Sequence, residues 1–203
     1  MRIEFEILFI LIAYLLGAIP FGYIFTKKLT GKNIREMGSG NIGSTNVRRI
    51  AGPKVGLMTQ LSDMLKGLLP VLVIWFLKSE RICTFDEVFI YLVALATILG
   101  HNFSVFLKFK GGKGVNTTLG ASLFLSPFSV FASVMIYFIV KWRYGYVSLG
   151  SMCLAVTLPI TGFFIHKISF VFYYLLICSV FILLRHIPNI KRLLEGIESK
   201  SGL

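Results

Sequence analysis

Several stretches of this sequence combine residue types and spacings that could handle a phosphate. The first is GSGNIGSTNVRR, Gly38–Arg49. Gly38, Gly40 and Gly43 let the backbone approach a ligand and adopt positive φ. Successive N–H groups in such turns form concave anion sites. Ser39, Asn41, Thr45 and Asn46 add neutral donors, and Arg48 or Arg49 could fork onto a phosphate. A flexible loop carrying ordinary basic charge has the same composition, and glycine spacing alone does not separate the two.

The second stretch is GHNFSVFLKFKGGKGVNTTLG, Gly100–Gly120. Gly111, Gly112 and Gly114 surround Lys113, which pairs backbone amides with one point charge. It is not a Walker A loop, because G-x-x-x-x-G-K-[ST] is absent. A helix is expected to begin near Val115–Thr117, and its N-terminus would favour an anion. A basic loop at the membrane interface is the other reading. Three lysines within six residues fit that, but the doubled glycine and nearby His101 fit it less well.

Asp63 and Lys66 stand three residues apart within an apolar run, so they share one helix face. Ionisable groups there face a polar cavity or pair with each other. A structural ion pair is the leading reading, with substrate contact second. LRHIPNIKRLLEGIE, Leu184–Glu198, sets Arg185, His186, Asn189 and Arg192 just after the last apolar run. Pro188 is compatible with a new helix beginning there, which on its own reads as a basic surface helix. Ser148, after Tyr146 and Val147, reads most simply as an N-cap.

The elements that must position these groups are membrane helices. Of 203 residues, 56% are hydrophobic and 15% charged, against about 25% charged in soluble domains. Apolar runs near the bilayer-spanning length of about 20 residues recur. The chain is therefore read as an all-α polytopic integral membrane protein, with residues 1–203 forming a single domain. Helices are expected at Phe5–Phe25, Val55–Leu77, Val88–Leu107, Thr117–Ser126, Phe128–Trp142, Ser148–Ile165 and Ile168–Leu184. Arg2 is offset by Glu4 and Glu6, and the first apolar run continues past Pro20. This reads as a retained transmembrane helix and not as a cleaved signal.

Basic residues set the topology. If Pro127 separates two short helices, there are seven transmembrane helices with the N-terminus outside and the C-terminus cytoplasmic. Sixteen of the 21 Lys and Arg residues then lie inside and four outside (Arg2, Lys78, Arg81 and Lys167), with Lys66 in the membrane. Six spans would put the basic tail outside, so the positive-inside rule favours seven. The net charge of +12 is read the same way and not as a nucleic-acid surface. Cys83, Cys153 and Cys178 match no metal spacing and suggest no disulfide framework. Residues alone thus point to a phosphate-bearing substrate at the cytoplasmic membrane face, with lipid-facing helices suited to an acyl chain.

GSGNIGSTNVRR, GHNFSVFLKFKGGKGV and LRHIPNIKRLLEGIE, in this order, resemble the three signature segments of one family. It is the bacterial acylphosphate:glycerol-3-phosphate acyltransferase family, PlsY. LSDMLKG and YVSLGS resemble it as well, so the likeness covers nearly the whole chain. Ser44 and Asn116 depart from the pattern, which has alanine at both positions, and Pro188 departs where a polar residue is expected. The resemblance implies a multi-pass enzyme of the bacterial inner membrane with its active site on the cytoplasmic face. It would transfer a fatty acyl group from acyl phosphate to the 1-hydroxyl of sn-glycerol 3-phosphate, releasing phosphate, with no metal, no cofactor and no acyl-enzyme. A monomer is expected, with membrane lipid around it and no nucleic-acid partner.

The implied catalytic residues are Ser39, Arg49, His186 and Asn189. Gly38, Gly40, Asn41, Gly43, Thr45, Asn46, Gly111, Gly112 and Gly114 would cradle the donor phosphate, with backbone amides meeting its developing charge. Lys113, Ser148, His101 and Ser104 would serve glycerol 3-phosphate. His186 or a substrate phosphate would take the hydroxyl proton; His101 reads more simply as a helix-end hydrogen-bonding group. A transporter of a phosphorylated small molecule is the rival reading. It predicts inverted internal repeats, and none is visible.

Overall fold

A computed structural model describes residues 2–200, without the side chain of Arg2; that side chain, one of the four expected outside charges, therefore lies outside the described residues. Every regular element among the described residues is helical. The chain divides into two compact units, Met1–Phe124 and Leu125–Leu203.

The first unit contains α1 (Arg2–Ala18), α2 (Phe21–Thr30), α3 (Ser44–Ala51), α4 (Pro53–Ser79), α5 (Phe89–Asn102) and α6 (Val115–Leu125), which runs to its boundary. Short 3-10 turns at Ile34–Glu36 and Val105–Leu107 complete it. The second unit contains α7 (Pro127–Tyr144), α8 (Val147–His166), α9 (Phe170–Arg185) and α10 (Ile187–Leu194).

Among the described residues, four stretches are long and apolar enough to cross a membrane: Ile3–Thr30, Pro53–Ser79, Phe89–Leu107 and Val147–His166. Counting α9 with α10, bent by 52° from it, makes five. Seven were expected from charge. α6 is only 11 residues long, and α7 ends in Lys141 and Arg143. Each expected apolar run nevertheless holds a helix.

Pro20 breaks the first run, which was expected to be one helix. Proline cannot donate to the preceding turn, and it pushes the residue before it out of the helical region. A helix end leaves carbonyls without intrahelical donors. Two buried side chains take them: Lys66 Nζ donates to Ile19 O at 2.9 Å, and Ser104 Oγ donates to Ala18 O. The break therefore gives two polar groups from distant helices a place to bond.

α4 is built for lipid. Thr59, Asp63 and Lys66 are buried, whereas Leu57, Leu61, Leu65 and Leu69 are exposed. A helix at a soluble surface does the reverse; only a hydrocarbon solvent makes this pattern stable. Small residues set the helix contacts, as membrane packing favours. A Cβ on Gly17 of α1 would strike the Thr97 carbonyl of α5, and one on Gly100 of α5 would strike the Tyr14 carbonyl of α1. Gly67 and Gly120 bring α4 and α6 together in the same reciprocal way.

Candidate active site

In the first unit the segment before α3 is a braced turn. Gly38 and Gly40 have φ of 59° and 69°, which favours glycine. Asn46, buried in the first turn of α3, holds the turn from inside. Its Nδ2 donates to Met37 O and to Asn41 O, each at 3.0 Å. Its Oδ1 accepts from Ser39 N at 3.1 Å. Asn41 Oδ1 accepts from Gly43 N at 2.8 Å. Ile34, Ile42, Val47, Val55 and Leu107 pack beneath as an apolar cluster. The polar run Lys27–Lys54 thus contains a rigid turn and a short helix, and the flexible-loop reading does not hold. Asn46 acts on the loop's shape, since its amide is engaged inside it. Ser39 and Arg49 are exposed, and Thr45 is half-buried.

The second segment lies on the end of α5. Gly112 N donates to His101 O at 3.0 Å and Gly111 N to Asn102 O at 3.2 Å. Each of these amides thus has its N–H engaged with the end of α5. The two glycines also allow close packing. A Cβ on Gly111 would strike the His101 carbonyl, and one on Gly112 the His101 imidazole. Gly114, at φ 80°, sits over Asn102. Past it, α6 begins at Val115, as expected, and the amides of its first turn have no intrahelical acceptor.

His101 and Ser104 are buried, at 4% and 1% exposure, so they support the segment from behind. His101 Nδ1 lies 3.6 Å from Asp63 Oδ1, and Asp63 pairs with Lys66 Nζ at 2.9 Å. A chain of polar side chains from α4 thereby reaches the underside of Gly112. Lys113 itself is half-buried. The two segments meet directly: Asn116 Nδ2 of α6 donates to Ser44 Oγ of α3 at 3.0 Å.

In the second unit, Ser148, His186 and Asn189 are buried. α8 begins at Val147 with Tyr146 as its N-cap, and no side chain caps it; Ser148 is in the first turn and is not the N-cap expected. His186 lies at the bend between α9 and α10, with Nδ1 2.8 Å from Ile182 O. A carbonyl only accepts, so Nδ1 carries a proton, and Nε2 is the acceptor nitrogen whenever the ring is neutral.

Glu198 was not expected as a site residue. It accepts from Asn189 Nδ2 and from Arg192 Nε, each at 2.6 Å. Gly196, at φ 72°, turns the chain back after α10, and Ile197 N and Glu198 N both donate to Arg192 O. A glycine just past a helix was the available signal. Burial pushes the Glu198 carboxyl up, but Ser148, Asn189 and Arg192 outweigh it and hold the carboxyl below its ordinary range. A lowered carboxyl adds stability above its unfolded value and loses it as pH falls through its folded one. Glu198→Gln is expected to melt earlier than the parent at neutral pH. The gap should close below about pH 4, the ordinary carboxylate range. Melting curves from pH 7 downward check this, and a pH-independent gap would count against it.

The family model described as glycerol-3-phosphate acyltransferase matches residues 7–196. The chain belongs to this family. Glycerol-3-phosphate acyltransferase of Syntrophotalea carbinolica is 41% identical, over 94% of this chain and 95% of its own. That of Clostridium acetobutylicum is 39% identical, over 95% and 98%. The crystal structure of PlsY (YgiH), an integral membrane glycerol 3-phosphate acyltransferase, in its glycerol 3-phosphate form, is 36% identical with a TM-score of 0.88, covering 97% of this chain and 96% of its own. Its lysophosphatidic acid form gives 35% and 0.85, over 97% and 95%. This acyltransferase is thus a PlsY-family integral membrane protein, and the transporter reading is set aside. The braced turn, the α5–α6 segment and the His186–Glu198 turn are the three stretches through which the sequence resembles the family.

Proposed function

We propose that the chain transfers a fatty acyl group from acyl phosphate to the 1-hydroxyl of sn-glycerol 3-phosphate. The products are lysophosphatidic acid and inorganic phosphate, in the first acylation of bacterial phospholipid synthesis. The observation that carries this reading is the junction of the two glycine segments. Each leads into the N-terminus of a helix, α3 or α6, and the two helix starts are joined by Asn116 and Ser44. Helix N-termini favour anions. Gly38, Gly40, Asn41, Gly43 and Thr45 shape one wall for the donor phosphate, and Gly114 with the α6 turn shapes the other. The solved forms of the PlsY relative with glycerol 3-phosphate and lysophosphatidic acid fit the assigned acceptor and product.

Acyl phosphate is a mixed anhydride with a good leaving group. The acceptor oxygen attacks the acyl carbon, the bond from that carbon to the phosphate oxygen breaks, and phosphate leaves with the electron pair. Arg49 and Lys113 offset the negative charge of two substrates, and their positioning makes the attack effectively unimolecular. Ser39 donates to the donor phosphate. Lys113, Ser148 and Asn189 are each assigned to glycerol 3-phosphate. The hydroxyl proton goes to His186 Nε2 or to a substrate phosphate; histidine suits neutral pH.

The reading also places the enzyme as a monomer and one functional domain in the bacterial inner membrane. It crosses seven times, with its N-terminus outside and its site and C-terminus on the cytoplasmic face. Transfer is direct. Purified protein in lipid, given acyl phosphate and glycerol 3-phosphate, should yield lysophosphatidic acid and phosphate. With radiolabelled acyl phosphate alone it should trap no acyl-protein. Product formation only from another acyl donor would sink the donor assignment, and a labelled acyl-protein would sink direct transfer.

A further inference from the structure

The two positions in the glycine segments where the sequence departs from the pattern it resembles turn out to touch. Ser44 opens α3 and Asn116 lies in the first turn of α6, 72 residues later. Asn116 Nδ2 donates to Ser44 Oγ at 3.0 Å, and both residues are half-buried. Alanine at either position removes this bond, and alanine at both leaves neither partner unsatisfied.

We propose that Ser44 and Asn116 form a positioning clip that holds the two phosphate segments in one register. Each segment is braced well on its own side. Asn46 fixes the first turn to its own backbone, and His101 and Asn102 carbonyls fix the second to α5. These braces act within each segment. The Ser44–Asn116 bond joins one to the other at the helix turns where a shared anion would bind. Because Ser44 Oγ accepts this bond, its own proton is directed elsewhere, and accepting one hydrogen bond strengthens the hydroxyl as a donor for another. This rests on the reading that both segments meet one donor phosphate.

The test uses full-length protein in lipid with Ser44→Ala, Asn116→Ala, the double alanine variant and Ser44→Thr. Each single alanine variant should raise the KM for acyl phosphate about two- to tenfold, the ratio one neutral hydrogen bond supports, with kcat nearly unchanged. The double variant should be no worse than either single one, because the same bond is lost once. Ser44→Thr keeps the acceptor oxygen and should behave like the parent. Unchanged KM in the single variants, or single effects that multiply in the double, would overturn the clip. Amide exchange without substrate provides a readout independent of turnover: Ser44→Ala should speed exchange at residues 115–118, and Asn116→Ala at residues 38–46. Unaltered exchange at the opposite segment overturns the clip as well. A parent protein that makes no lysophosphatidic acid would instead remove the proposed reaction, and exchange would still decide the clip.

Discussion

Asp63→Ala is expected to lower the melting temperature of the purified protein by about 10 °C. The residue is 2% exposed and Lys66 6%, and their charged atoms lie 2.9 Å apart. Removing the carboxylate leaves the ammonium buried with the Ile19 carbonyl and the face of Phe21, 5.7 Å away. Breaking one side of a buried pair costs about 3–5 kcal/mol, and each kcal/mol shifts the melting point of a chain this long by roughly 2–4 °C. The loss extends to the site, because Asp63 also stands beside the His101 ring under Gly112. The double variant Asp63→Asn with Lys66→Met leaves no buried charge and should recover part of the loss. Melting of Asp63→Ala within about 2 °C of the parent would show that the pair is not what holds α4 to the α1–α2 break.

Most helices were legible because hydropathy and proline mark them. The start of α6 after the glycines and the break at Pro127 both fall where the sequence puts them. The break at Pro20 was not legible, because the apolar run continues through it to Phe25. What stabilises the break is Lys66 and Ser104, 46 and 84 residues later, and no local pattern announces a long-range acceptor. α3 was hidden by its glycine-rich approach. Within the site, residue type was informative and direction was not. Glycines announced close approach, but the partner approached by Gly111 and Gly112 is α5, and their amides are used there. His101 and Ser104 have the right chemistry for a ligand, yet both are folded inward. The Glu198 turn depends on Gly196, one glycine among 19, and its meaning appears only when the carboxylate returns to Asn189 and Arg192.

Lys113→Ala is expected to raise the KM for glycerol 3-phosphate by about ten- to a hundredfold, the range lost with one charge-assisted hydrogen bond. The lysine lies between Gly112, pinned to His101, and Gly114, set over Asn102, so its backbone is fixed on both sides. A side chain launched from so rigid a base has less freedom to lose when it meets an anion. Its charge is compact and suits a phosphate as a point partner, whereas an arginine would impose a planar fork. Lys113→Arg should therefore recover only part of the affinity. The KM for acyl phosphate should move less, because in the proposed reading the donor phosphate would also be held by the braced turn before α3. Steady-state kinetics with each substrate varied in turn separates the two. An unchanged KM for glycerol 3-phosphate would remove Lys113 from the acceptor site. An equal rise for both substrates would make it a shared counter-charge, with the selective acceptor contact falling to Ser148 and Asn189.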